Sequence, residues 1–278
     1  MATKKEIYAK KGVDYDTKTG KILVPVYGWI KPVLKNGNDK LGKGCWNFST
    51  LPTDQPVVVN MGTKNSPDVQ TFQGTCSCTC YDEEGNLACY ACNGRCAMDC
   101  CRKCWARHTT LARKYMDFLE RAITAQIIAD KIVICRIHVS GDFFSDEYAA
   151  MWRRIALNSP STCFWTYTKV MKVETAFEDV PNLNVVKSLI PGHGFNFGTC
   201  GYLISLYEAL REKGEDVYIC RCGIDPNQHC TKCNSCYSKT YVLFLEHGTK
   251  YEPEKDPLFP AFVALVESQE KPVPILAA

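Results

Sequence analysis

The sequence has no apolar run approaching the roughly 20 residues that a membrane-crossing helix needs. Even residues 132–137 are interrupted by Arg136 and closed by His138. No secretory signal is expected either, because Met1-Ala2-Thr3-Lys4-Lys5-Glu6 is polar where an apolar core should begin. A cytoplasmic protein without a membrane partner is expected. Charge of one sign is scarce as well. The 33 Lys and Arg against 30 Asp and Glu leave a formal charge of +3, scattered rather than gathered in tracts, which speaks against dedicated DNA binding. No internal repeat, heptad run or low-complexity stretch is present. With 278 residues and 46% hydrophobic content, the chain can bury a core without staples.

What the chain has in excess is cysteine. Of its 18 cysteines, nine fall in residues 76–104 and five in residues 220–236. In a reducing compartment such density points to soft-metal ligation rather than disulfides. The second group reads Cys220-Arg-Cys222, then Cys230-Thr-Lys-Cys233-Asn-Ser-Cys236. Two Cys-x-x-Cys steps sharing a cysteine bring three thiolates to one corner of a cluster, with Cys222 or Cys220 as the fourth. This spacing favours a [4Fe-4S] cluster over zinc, the alternative. The first group contains Cys76, Cys78 and Cys80, then Cys89, Cys92 and Cys96, then Cys100, Cys101 and Cys104. Nine thiolates exceed the four of one ordinary cluster, so one to three clusters are expected in the whole chain. His108 continues a four-residue spacing from Cys96 through Cys100 and Cys104; it is read either as a surface histidine of the following helix or as part of that face. No three cysteines stand at i, i+4 and i+7, which excludes the standard triad of radical S-adenosylmethionine enzymes. Cys135 and Cys163 are expected to pack within strands.

Periodicity predicts short strands and turns over residues 5–58, with residues 21–29 extended and a turn at residues 36–39, then an amphipathic helix over residues 105–130. Strands follow at residues 132–139, 163–168, 184–189 and 217–220. Helices after Ser145 and over residues 202–213 alternate with them. This pattern implies βαβ units. The expected fold is α/β, with a parallel sheet or a partial, irregular βα barrel, cysteine-rich metal-binding loops and a β-rich N-terminal cap. The expected organisation is a cap over residues 1–75, a first cysteine segment over 76–104, an α/β core over 105–220, and a second cysteine segment and tail over 221–278.

In parallel α/β folds, ligands gather at the carboxyl ends of strands. There the sequence places His138, Asp142 and Lys169 as candidate catalytic groups, and Ser140, Gly141 and Thr166 as candidate cofactor-binding groups. The competing roles are local: Asp142 and Ser145 as helix caps, His138 as a core histidine and Lys169 as a solvated lysine. Arg102, Lys103, Trp105, Arg107 and Arg113 interleave basic and aromatic residues, the pattern of a nucleic-acid-facing surface.

Four segments carry a resemblance to a known family. They are Asn38-Asp-Lys40-Leu-Gly42-Lys-Gly, the cysteines of residues 89–96, Arg136-Ile-His-Val-Ser-Gly-Asp-Phe-Phe-Ser145 with Tyr148 and Trp152, and Thr166-Tyr-Thr-Lys169. Over about residues 35–240 the chain resembles the phage gene product 88 family, found in bacteriophages and bacterial mobile elements. The resemblance implies a phage-type protein of the host cytosol with cysteine-ligated metal, but no activity. Three readings follow: an iron-sulfur protein doing redox or Lewis-acid chemistry on an unknown substrate or electron donor, a zinc-stabilised module binding nucleic acid or protein, or purely structural metal.

Overall fold

The structure is a computed structural model that describes residues 2–37, 41–78, 89–170, 172–190, 192–225, 227–233, 235–246 and 251–269. Its first element is helix α1 (Lys4–Lys10), held by a reciprocal cap between Thr3 and Glu6. This corrects the expectation of strands and turns alone. Strands β1 (Tyr15–Asp16), β2 (Lys21–Val24) and β3 (Gly28–Ile30) form an antiparallel sheet, so the stretch expected to be extended is a hairpin. The chain then enters the central sheet through β4 (Lys35–Asn36) and β5 (Cys45–Asn47), and leaves it for a hairpin of β6 (Pro56–Asn60) and β7 (Val69–Gln73). The turn expected at residues 36–39 and Cys80 lie partly or wholly outside the described residues.

The helix expected over residues 105–130 is two helices, α2 (Asp99–Lys114) and α3 (Met116–Asp130). They part at Tyr115, whose φ of −139° and ψ of 45° are not helical. Next come β8 (Ile134–Ile137), α4 (Asp146–Leu157), β9 (Cys163–Thr168), α5 (Lys172–Phe177) and β10 (Leu183–Lys187). Ser145 caps α4 by accepting from the Tyr148 N–H. The antiparallel pair β11 (Leu189–Ile190) and β12 (Gly194–Phe195) leads to β13 (Phe197–Gly198), α6 (Cys200–Glu212) and β14 (Val217–Ile219). The last elements are α7 (Cys230–Cys233), β15 (Tyr241–Leu245) and α8 (Phe259–Ser268).

The central sheet has the order β10-β9-β8-β5-β4. Its first four strands are parallel, while β4 runs antiparallel at the edge. A second small sheet, β13-β15-β14, is parallel. The protein is thus a mixed α/β fold with several sheets, and no closed barrel exists among the described residues.

Strand alternation gives the central sheet two different faces. One presents Cys135, Ile137 and Phe164 to a core shared with Leu119 and Ile123 of α3, Trp152 and Ile155 of α4, and Tyr8 of α1. Cys135 is buried there as expected, whereas Cys163 is only half-buried. The other face presents Cys45, Ile134, Trp165 and Val186 to Cys220, Cys236 and Tyr237. Trp152 and Trp165 are each at most 1% exposed, and truncating such a residue to alanine costs about 3–5 kcal/mol. A separate core joins α6, α8, β14 and β15.

Candidate functional site at the strand carboxyl ends

Three segments meet at the carboxyl end of the sheet. Residues 48–51 continue β5 beside residues 136–140: Phe48 N–H donates to the Arg136 carbonyl, Val139 N–H to the Phe48 carbonyl and Thr50 N–H to the Ser140 carbonyl. The end of β9 closes the other side. His138 has a φ of 61°, in the left-handed region that a non-glycine residue rarely enters. Strict alternation would send its ring to the Arg136 face; this backbone turn instead seats it among Phe143, Tyr148 and Phe48. Gly141 also has positive φ, and a Cβ there would lie 1.9 Å from Thr50 Oγ1 and 2.5 Å from Thr75 Oγ1. Glycine is required on both counts.

Asp142 and Lys169 are brought together. The Asp142 carboxylate, 1% exposed, accepts from Phe143 N–H at 2.8 Å, Thr168 Oγ1 at 2.6 Å and Lys169 N–H at 3.0 Å, with Lys169 Nζ at 3.9 Å. Burial raises its pKa against the lowering pull of these donors. The role as a cap of the following helix belongs to Ser145; Asp142 instead ties β8 to β9. Lys169 is a mostly buried partner of this carboxylate rather than a solvated loop lysine. His138 Nε2 lies 2.9 Å from Tyr148 Oη. Burial, reinforced by the charges of Arg136 and Lys169, pushes its pKa down to about 3 and keeps it neutral. Its Nδ1, Ser140 Oγ and Thr166 Oγ1 are buried without a hydrogen-bond partner among the described residues, an arrangement that water or a ligand normally satisfies.

The first cysteine group reaches this site. Thr75 Oγ1 accepts from the Asp142 N–H and donates to the Leu51 carbonyl. The next residue, Cys76, has its thiol pushed up to about 12 by burial, with Lys169 pulling down and Asp142 and Cys89 adding to the rise. The remaining thiols gather around the start of α2, where Cys89, Cys96, Cys101 and Cys104 pack with Ala91 and Trp105. Cys101 is raised to about 11 by burial and by Cys100, Cys96 and Cys104. Cys100 is exposed, and Cys78 and Cys92 are half-buried. His108 is not a surface histidine: it is 3% exposed and stacked on Phe48 at 4.8 Å. Its Nδ1 lies 2.8 Å from the Ser49 carbonyl, and its Nε2 lies 3.7 Å from Cys104 Sγ. Burial alone would raise the Cys104 thiol, but His108, Lys35 and Arg107 bring it down to about 6.

The second group lies against the opposite face of the sheet. Cys222 meets both Cys220 and Cys230, and its thiol is pushed up to about 12 chiefly by Cys220. Cys236 feels Cys230 and Cys233 and is raised by burial. Tyr167 Oη lies 2.6 Å from Cys236 Sγ, and the Arg136 guanidinium lies 4.5 Å from the centre of the Tyr167 ring. Asn184 of β10 donates to the Cys236 and Lys239 carbonyls and pins the segment to the sheet. A Cβ at Gly42 would lie 3.0 Å from His229 Cβ, so the chain near residue 42 closes over this group. Arg136 and Tyr167 were not among the expected site residues. Their signal was a cation inside a β-branched strand, on the same face as the Trp165 and Tyr167 side of its neighbour.

Among the described residues, no three Cys, His, Asp or Glu side chains form a group ready to hold a metal ion. The thiols are neighbours without a formed coordination sphere. The interleaved basic residues are engaged within the chain. Arg113 donates to the Gly74 carbonyl and lies over Phe144, Lys103 donates to the Gly62 carbonyl, and Trp105 is buried. No helix among the described residues is long and apolar enough to cross a membrane.

A mixed α/β protein with two cysteine groups flanking a hydrogen-bonded strand-end site is the class that this geometry defines. A family model described as gene product 88 matches residues 32–195, more than half of the chain, and the chain belongs to that family. The Gene 88 protein of Mycobacterium phage L5 is 51% identical over 35 residues, which cover 13% of this chain and 15% of that protein. The match therefore spans a small part of the relative's length. No solved structure matches.

Proposed function

We propose that this protein binds an iron-sulfur cluster through its second cysteine group and uses it for redox or Lewis-acid chemistry beside the strand ends. Cys230, Cys233 and Cys236 supply three thiolates, and Cys222 or Cys220 the fourth. The observation that carries this reading is the gathering of these five thiols on one sheet face, beside a cation and a phenol that can stabilise thiolate charge. Without metal, the raised thiols of Cys222, Cys230 and Cys236 keep their protons, and Cys222 hydrogen-bonds with Cys220 and Cys230. Binding expels those protons, and ordinary rotamer changes at Cys χ1 bring the sulfurs inward. When bound, the cluster would supply electron transfer with all four thiolates in place, or Lewis-acid chemistry at one iron if the fourth thiolate is withheld. His138, Asp142, Lys169 and Cys76 are the polar groups that a substrate would meet at the strand ends.

The test is anaerobic purification of the full chain with iron, sulfide and zinc analysis and electron paramagnetic resonance. The expected result is a brown protein whose reduced form carries a cluster signal. A colourless protein whose metal is zinc alone would overturn the reading.

A further inference from the structure

We infer that the first cysteine group holds a second, chemically different metal centre, in which His108 joins Cys96, Cys101 and Cys104 around a single tetrahedral ion of the zinc type. Cys101, Cys104 and His108 stand at i, i+3 and i+7 on α2, and so share one face of that helix. Cys96, in the turn Gly94–Ala97, packs in the same cluster as Cys101 and Cys104. The decisive group is the imidazole. A carbonyl only accepts hydrogen bonds, so the 2.8 Å contact to Ser49 places a proton on His108 Nδ1 and turns Nε2, the nitrogen free to ligate, towards Cys104 Sγ 3.7 Å away. Metal-ligating histidines are oriented in this way, by donating the other ring N–H to a carbonyl. Stacking on Phe48 and burial to 3% exposure hold the ring in place. Cys100 is exposed and stays outside the centre. Three sulfurs and one nitrogen are the donor types of structural zinc, whereas a four-iron cluster ordinarily takes thiolates; no such group is closed among the described residues, so binding draws the four side chains together through rotamer changes. Binding forms three metal–sulfur bonds and one metal–nitrogen bond, releases to water whatever protons the three sulfurs and Nε2 still carry, and moves no electrons.

The experiment compares metal content and Co(II) titration of the full-length chain as wild type, His108→Ala, His108→Cys and Cys230→Ser. Wild type should bind about one equivalent of zinc or Co(II) at this centre, with tetrahedral thiolate–cobalt absorption. His108→Ala should weaken Co(II) binding by about a hundredfold or more while leaving iron content unchanged. His108→Cys should restore binding with an altered cobalt spectrum, which separates lost coordination from lost folding. Cys230→Ser should lose iron and keep zinc. X-ray absorption at the zinc edge should fit three sulfurs and one nitrogen. An all-sulfur zinc shell would overturn the inference. So would zinc content and a cobalt spectrum indifferent to His108→Ala, or a wild-type chain that takes neither ion while Cys104 alkylates in a His108-dependent way. Absence of iron from wild type would defeat the proposed cluster and leave this centre standing.

Discussion

The two cysteine groups sit in contrasting surroundings on one sheet. Residues 220–236 press their thiols onto a face lined by Trp165, Val186 and Ile134, and meet a guanidinium and a phenol. The group at the start of α2 is more open, with Cys100 exposed, and its nearest nitrogen donor is a buried, oriented imidazole. Thiol number alone would rank the first group as the richer cluster site. Neighbouring donors reverse that ranking, because all-sulfur surroundings suit iron-sulfur chemistry and a sulfur–nitrogen set suits zinc.

The largest expected effect tests whether the groups are separate. Cys230→Ser removes a thiol that neighbours Cys222 and Cys236, and should abolish the visible chromophore while leaving zinc at α2. Loss of both metals together would show a single shared site. Gly141→Ala should instead disturb both groups, because the added methyl collides with the Thr50–Thr75 contact that leads directly to Cys76. Overpacking at a left-handed glycine should lower stability by about 2–4 kcal/mol, measured as the shift in denaturant midpoint at an unchanged slope.

His138 lies between the groups and gives a pH test. Its folded pKa of about 3 lies below the unfolded value of about 6.5. Between these values the unfolded chain holds a proton that the folded chain does not, so this residue's contribution to stability is complete above about pH 6.5 and is lost as pH falls towards 3. Asp142, raised by burial, works in the opposite sense. His138→Asn keeps a residue tolerant of positive φ and should make the acid-side loss of stability shallower, by up to about 1.4 kcal/mol per pH unit between roughly pH 5.5 and 4. Denaturant titrations of both proteins at several pH values measure this. Parallel pH curves would show that His138 is protonated in the fold.

The βαβ rhythm around β8, α4, β9 and β10 was legible because β-branched and aromatic strands alternate there with helices of clear amphipathic spacing. The Ser145 cap followed from its position before the apolar face of α4. Helix α1 was hidden in a short polar segment whose only signal is the Thr3–Glu6 cap. The break at Tyr115 was hidden because apolar spacing continues through it, and the antiparallel edge strand β4 is too short to show a period. At the site, the segment from His138 to Asp142 announced itself by its polarity at a strand end. Arg136 did not, since its role depends on the neighbouring strand, and His108 showed only its spacing from Cys104, because the carbonyl that orients it lies 59 residues away in sequence, at Ser49.

Tyr167→Phe is the mildest way to sharpen the comparison, because it alters neither ligand number nor backbone. The phenol hydroxyl, 2.6 Å from Cys236 Sγ, donates to that sulfur once the thiol has lost its proton to metal. Such a bond strengthens as negative charge builds on the sulfur, so it favours the reduced cluster over the oxidised one. Removing it should lower the reduction potential. A hydrogen bond with a net value of about 0.5–1.5 kcal/mol corresponds to roughly 20–60 mV for one electron, read by redox titration of the cluster signal. Arg136, held over the Tyr167 ring, remains in place in this variant, so the shift isolates the hydroxyl. The zinc centre inferred at α2 would have no ligand in contact with Tyr167, and Co(II) affinity there should not change. A potential unchanged within error would place Cys236 outside the ligand set and make both Cys220 and Cys222 ligands beside Cys230 and Cys233.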